Sequence, residues 1–307
     1  MNKINNEISL LENHIIDNIC NKSFMESYQE KSPIDFLEIE RTPIDKHWII
    51  SFEGIDATGK QTLSNILKEY LNNLNKKEVA EKINIPDYNL KSGQEIKEIL
   101  FNGNYEPELL QLKFALNRKE VQNKLILENK LNKKLDNQKN IFIFDRWVDS
   151  GAIFKIAKMI YNDIENGFQL YTEYSSYEEY IHSKILEYKK ELIKQYELEH
   201  NTLELTKPNL KILCITPIEE VQKRLRNRLL DQGIPEDKIE DNLDAHEKNE
   251  QFLFIVQKIY IYIYSNPKIF FTNDIFSKST RNTLIIDTYI NSKEECIKLI
   301  LNKLFYL

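Results

Sequence analysis

The sequence predicts an α/β protein: a five-stranded parallel sheet flanked by helices, with an N-terminal extension and a helical insertion. Three observations predict it. Short, nearly continuous apolar runs alternate with longer segments of helical period, the pattern of a parallel sheet covered on both faces. The first of these runs leads directly into a glycine turn and then a helical segment. Only seven glycines occur in 307 residues, and Gly54 and Gly59 share that one turn.

Residues 1–47 form a polar leader in which Ile8, Leu11, Ile15 and Ile19 recur at roughly helical spacing, and Pro33 and Pro43 then interrupt any regular element. A second unit is expected over 48–307. Its strands are predicted at 48–53, 79–85, 140–144, 210–215 and 283–286, and its helices at 61–74, 108–135, 218–230, 247–264 and 293–304. Residues 159–205 carry Tyr161, Tyr171, Tyr174, Tyr177, Tyr180, Tyr188 and Tyr196 among many charges. They are expected to be a partly exposed helical insertion whose tyrosine rings pack and whose hydroxyls meet water. Residues 229–243 are expected to act as a lid.

Composition excludes several classes. A net charge of −6 argues against a nucleic-acid backbone as the main ligand, since that binding needs a basic face, but leaves room for a phosphorylated small molecule. Cys20, Cys214 and Cys296 are far apart with no CxxC spacing, so neither a disulfide framework nor a zinc site is indicated and a reducing, cytoplasmic setting fits. The first residues lack the apolar core of a signal peptide, and the near-apolar run 259–264 is far too short to span a bilayer.

The most informative stretch is Phe52-Glu-Gly-Ile-Asp-Ala-Thr-Gly-Lys-Gln-Thr-Leu63, a strand end, a GxxxxGK loop and a helix start in order. Such a P-loop turns successive backbone N–H groups toward phosphate oxygens, and the helix adds the positive end of its dipole. Gly54, Ile55, Asp56, Ala57, Thr58, Gly59, Lys60, Gln61 and Thr62 are therefore the candidate ATP-binding residues, with Lys60 reaching the β- and γ-phosphates. Gln61 stands where Ser or Thr is usual, and Thr62 follows one place later. A strand, this loop and a helix in order predict the three-layer fold of P-loop NTPases.

With these residues and three downstream motifs the sequence resembles the thymidylate kinase family, whose members open with FEGxDGxGKxT; Ala57 replaces the middle glycine. Leu109-Leu-Gln-Leu-Lys-Phe-Ala-Leu-Asn-Arg-Lys-Glu120 is similar to the family's LLFAANRxE helix. The resemblance implies that Phe114 stacks on thymine and Arg118 donates to a base carbonyl; spacing of four puts both on one helical face. Phe144-Asp-Arg-Trp-Val-Asp-Ser-Gly-Ala-Ile-Phe154 resembles DRYxxSxxAY at a strand end. It implies that Arg146 takes the monophosphate, that Asp145 lies near magnesium, that Ser150 and Gly151 line the base pocket, and that Phe154 packs beneath the deoxyribose. Residues 244–253 resemble the acidic segment after the lid, which implies a metal-side role for Glu247. Ile85-Pro-Asp-Tyr88 with Ser92-Gly93 resembles the FPxY…G loop and places Pro86 at the substrate.

The resemblance implies ATP-dependent phosphorylation of dTMP to dTDP, with Mg2+ held by Thr62, Asp145 and Glu247, and a homodimer without nucleic-acid or membrane partners. Lys60, Arg146 and Asp56 are the expected catalytic groups, and Arg228, just before the lid, is the candidate for the cation on the transferring phosphoryl group. Ile215 stands where the family has an aspartate, and the lid carries Lys238 as its only cation inside its own span. Two alternatives stay open: a deoxynucleoside or other nucleotide kinase on the same fold, and a non-catalytic nucleotide-binding protein.

Overall fold

Strand β1 (His47–Glu53) lies in the middle of a five-stranded sheet whose order is β2-β3-β1-β4-β5, with β2 (Ala80–Asn84), β3 (Asn140–Asp145), β4 (Leu210–Ile215) and β5 (Thr283–Asp287). The structure, a computed structural model, describes residues 47–75, 80–102, 106–131, 140–166, 174, 176–266 and 282–305. The expected leader up to residue 46, Val79, residues 132–135, Tyr171 and Cys20 lie outside the described residues. All pairings are parallel, with Ile49 opposite Phe142 and Phe52 opposite Ile212.

Alternation along each strand divides the core between two faces. Ile49, Phe142, Phe144 and Leu213 enter one apolar cluster, while Trp48, Ile50, Phe52, Ile141, Ile143, Ile212 and Cys214 enter another. Helices α1 (Lys60–Asn75) and α10 (Lys293–Phe305) cover the second face with Leu63, Leu67, Ile297 and Ile300. A Ser292–Glu295 capping box starts α10, each residue's side chain accepting from the other's N–H, at 3.2 and 2.8 Å.

The opposite face carries α4 (Val148–Glu165), α5 (Tyr177–Glu187), α6 (Lys189–Glu197), α7 (Ile218–Asp231) and α9 (Glu250–Ser265). Helices α2 (Lys91–Asn102) and α3 (Pro107–Leu131) form a smaller cluster through Ile96, Leu100 and Leu110. The connection after α7 holds a short 3₁₀ turn (Glu236–Lys238) and α8 (Ile239–Asn242). Among the described residues no helix is long and apolar enough to cross a membrane.

Three expectations need correction. Helix α2 was not expected, and Ser92 and Gly93, read as loop, lie in its first turn. A Cβ at Gly93 would fall 2.0 Å from the Asp87 carbonyl oxygen, so the glycine permits the loop to lie on the helix. Helix α9 starts at Glu250 instead of 247, because the Asn249 side chain caps it by accepting the Phe252 N–H at 2.8 Å. The tyrosine-rich segment is helical and partly exposed where it is described, with Tyr161, Tyr174, Tyr177 and Tyr188 half-buried, but not all of its hydroxyls meet water: residues 159–165 continue α4, and Tyr180 and Tyr196 are fully buried. The reason is electrostatic. Asp149 and Lys211 form a buried ion pair at 2.8 Å, and the Tyr196 and Tyr264 hydroxyls donate to the same carboxylate at 2.9 and 2.5 Å. Burial would raise the Asp149 carboxyl, but Lys211 and the two phenols outweigh it and hold it below the usual range.

Candidate active site

The loop after β1 is shaped by its backbone. Gly54 has φ +125°, and a Cβ there would lie 2.3 Å from the Cys214 carbonyl oxygen, so only glycine fits between β1 and β4. Ala57 at φ 57° holds a left-handed conformation that costs a non-glycine residue about 1–2 kcal/mol. The loop is closed by internal bonds: the Thr58 hydroxyl donates to Ile55 O at 2.8 Å, and Lys60 Nζ donates to the same carbonyl at 2.5 Å. From outside, Arg224 donates to Ala57 O at 3.4 Å and to Thr288 Oγ1 at 3.1 Å, and Thr288 Oγ1 donates to Thr58 O at 2.9 Å. Burial and then Arg146 lower the Lys60 ammonium, with Asp56 and Asp145 pulling the other way. In front of this loop a cavity of about 550 Å³ is bordered by Gly59, Lys60, Thr62, Arg224 and Arg228.

A second group meets the loop from β3. Arg146 follows the last residue of β3 with φ 72°, and its backbone N–H donates to Phe52 O at 2.9 Å. This unusual conformation, of the kind that concentrates at functional sites, turns the guanidinium back over the loop. There Nη1 donates to Gly54 O and Nη2 to Asp56 Oδ1, both at 2.8 Å, and the group lies 5.1 Å from the Phe154 ring centroid. Desolvation would raise the Asp56 carboxyl, but Arg146 and Lys60 outweigh it and hold it well below the usual carboxylate range. Beneath lies Glu53, fully buried, which accepts the Trp147 N–H at 2.9 Å and the Ser150 hydroxyl at 2.6 Å. Burial, then the charge of Asp149, push the Glu53 carboxyl up to about 7.

Beyond Arg146 a cavity of about 300 Å³ is bordered by Pro86, Phe114, Arg118, Ser150, Gly151 and Phe154. All six residues expected at the substrate besides Arg146 thus border one space, and Arg146 borders it too. Asp56, Gln61 and Asp145 border both cavities, so the two spaces adjoin. The loop carrying Pro86 is pinned from α3 by Asn117, whose Oδ1 accepts the Asp87 N–H at 2.9 Å. Arg118 has a partner that the sequence did not indicate: Glu199, on a π-helical turn (Leu198–Thr202) after α6, accepts from Nε and Nη2 at 2.6 Å each.

The expected metal-side residues separate. Thr62 and Asp145 border the P-loop cavity, with Lys82 Nζ 3.8 Å from Asp145. Glu247 borders neither cavity and accepts from Arg228 Nη2 at 2.7 Å. Among the described residues no group of three or more His, Cys, Asp and Glu stands ready to hold a metal. A Thr hydroxyl and an Asp carboxylate are still the hard oxygen donors that suit a phosphate-bound magnesium keeping several waters. Sequence reasoning did not single out Gln111, Tyr88, Asp244 or His246, which also border the smaller cavity. For Gln111 a signal existed, since it stands three and seven residues before Phe114 and Arg118 and so shares their helical face.

Residues 52–166 match the family model described as Thymidylate kinase. Thymidylate kinase from Malacoplasma penetrans is 33% identical over 113 residues, which is 36% of this chain and 50% of that protein. The thymidylate kinase of Dictyostelium discoideum is 32% identical over 124 residues, 40% of this chain and 52% of that protein. The chain spans about half the length of these curated relatives. The solved structure of thymidylate kinase from Candida albicans superposes with a TM-score of 0.52 at 21% identity, covering 85% of this chain and 94% of that one, a likeness of fold.

Proposed function

We propose that this chain transfers the γ-phosphoryl group of ATP to dTMP, giving ADP and dTDP, a reading supported by the match of residues 52–166 to the family model described as Thymidylate kinase. The observation that carries this reading is the pair of adjoining cavities with Asp56, Gln61 and Asp145 in their common wall. One space offers a phosphate-binding loop and the other a cation, Arg146, beside an aromatic pocket of nucleotide size. Open parallel sheets bind ligands at the carboxyl ends of their strands, where both cavities lie.

In the mechanism, ATP occupies the P-loop side and Lys60 exchanges its bond to Ile55 O for the β- and γ-phosphates. Arg146 binds the dTMP phosphate with N–H groups not already given to Gly54 and Asp56. Asp56, kept ionised by its two cations, orients Arg146 and the acceptor sugar. An acceptor phosphate oxygen attacks the γ-phosphorus in line as the bond to the β–γ bridging oxygen breaks; that oxygen is already ionised, so positioning and charge neutralisation do the work. Magnesium, with Thr62 and Asp145 as its protein-side oxygens, would neutralise the phosphates. Arg228 already borders the donor cavity, and leaving Glu247 would bring it to the transferring group.

A cytoplasmic homodimer completes the proposal. Leu109, Leu112 and Leu116 are 50%, 42% and 42% exposed and recur at i, i+3 and i+7 on α3, an apolar stripe suited to a second copy. The function is tested by coupled ADP release with ATP and magnesium, comparing dTMP, dUMP, thymidine and the other monophosphates, with Lys60→Ala as the blank. Turnover highest with dTMP and lost in the variant supports the proposal. Turnover only with thymidine or another monophosphate refutes it in favour of a different acceptor.

A further inference from the structure

Arg146 stands at φ 72°, a left-handed conformation that a residue with a Cβ adopts only where its surroundings impose it. Two bonds impose it, one on each side of its Cα. Its own N–H donates to Phe52 O at 2.9 Å, and the next N–H, that of Trp147, donates to Glu53 Oε1 at 2.9 Å. Phe52 and Glu53 are the last two residues of β1, so the end of the central strand grips both peptide groups that flank Arg146. Glu53 is fully buried and borders neither cavity. Its second oxygen accepts the Ser150 hydroxyl at 2.6 Å and the Tyr260 hydroxyl at 3.2 Å. Trp147 is the N-cap of α4 and makes no side-chain cap of its own. In a capping box the side chain three residues on would accept the N-cap N–H. Here that residue is Ser150, which donates to Glu53 instead, so one carboxylate from β1 holds both ends of the first turn of α4.

Resting on the acceptor-phosphate role given to Arg146 above, we propose that Glu53 is a positioning residue for phosphate recognition, holding Arg146 in the left-handed backbone conformation that aims its guanidinium over the P-loop. It touches neither substrate and acts through the Trp147 N–H and the first turn of α4. An ionised carboxylate only accepts, and all three groups that face it here donate. Without that acceptor Arg146 relaxes toward the commoner regions of backbone space, and its guanidinium leaves Gly54 O and Asp56 Oδ1, to which it donates at 2.8 Å. The base side of the cavity is set from elsewhere, by Pro86 on its loop and by Phe114 and Arg118 on α3. The loss is therefore confined to the phosphate.

The test is calorimetric binding of dTMP and of thymidine, without ATP, to the wild-type chain and to Glu53→Leu. It is run at pH 8, where the carboxyl, pushed up to about 7 by burial, is ionised. The wild type should prefer dTMP over thymidine by about tenfold or more, the scale of one hydrogen bond to a charged group. Glu53→Leu should lose about tenfold for dTMP and bind thymidine as before. In an Arg146→Ala background the same substitution should change neither affinity further. An unchanged preference in Glu53→Leu, an equal loss for both ligands, or a further loss without Arg146 overturns the positioning role and leaves the acceptor reading standing. A wild type that binds dTMP no better than thymidine, or binds neither, overturns both. Should Glu53→Leu fail to fold, Glu53→Gln decides: it keeps an acceptor without the charge and should lose about fivefold of the preference, whereas no loss overturns the role.

Discussion

At the scale of single residues the site is a set of charges whose partners fix their states. Glu53 illustrates this. Its carboxyl is raised by burial and by Asp149 from an ordinary 4.5 to about 7, so between those values the folded chain holds a proton that the unfolded chain releases. Its stabilising contribution is therefore full below about pH 4.5 and lost as pH rises through about 7. Glu53→Gln, neutral at every pH, should show a Tm relative to wild type that climbs from pH 5 to pH 8; a difference independent of pH would contradict the raised carboxyl. Much at this scale was legible in the sequence, since a GxxxxGK loop after a strand specifies its own backbone chemistry. Pairings across long separations were not. Arg118 meets Glu199 from 81 residues away, and Arg228 meets Glu247 from 19, and no spacing rule connects such positions.

Single elements show where burial narrows a reading based on polarity. Tyrosine is compatible with water or with a buried carboxylate, and period alone does not separate these. The segment from α5 to the π-helical turn is fixed by Asp149, Lys211, Tyr196 and Tyr264, which come from four different elements. Removing one member of a buried ion pair leaves the other charge uncompensated and costs about 3–5 kcal/mol. Lys211→Met is expected to lower the urea midpoint accordingly, and Lys211→Met with Asp149→Asn to recover part of the loss. No recovery would mean that the pair is not the hub. On α3 the exposed leucine stripe makes a separate prediction. Leu112→Glu should shift the chain from dimer to monomer in sedimentation, with the fold intact by circular dichroism, whereas an unchanged mass would remove the stripe from the interface. The boundaries of α1, α7 and α10 were legible to within one residue, whereas α9 starts three residues later than expected because Asn249 caps it.

Across the whole molecule, five alternating strands and helices were enough to predict the sheet, because near-continuous apolar strands can be buried only between two helical layers. Where the cavities lie was less legible: their common wall brings together Asp56 and Gln61 from one loop and helix with Asp145 from another strand. That wall is the centre of the functional reading, since it makes the donor and acceptor spaces neighbours. The most direct measurement follows a terminally labelled γ-phosphoryl group from ATP in the presence of magnesium and dTMP. Label is expected in dTDP, with transfer reduced about 10²–10³-fold in Arg146→Ala, the scale of losing one preorganised charge-stabilising donor. Label that appears only as inorganic phosphate, or dTDP formed equally well without Arg146, would contradict transfer between the two cavities.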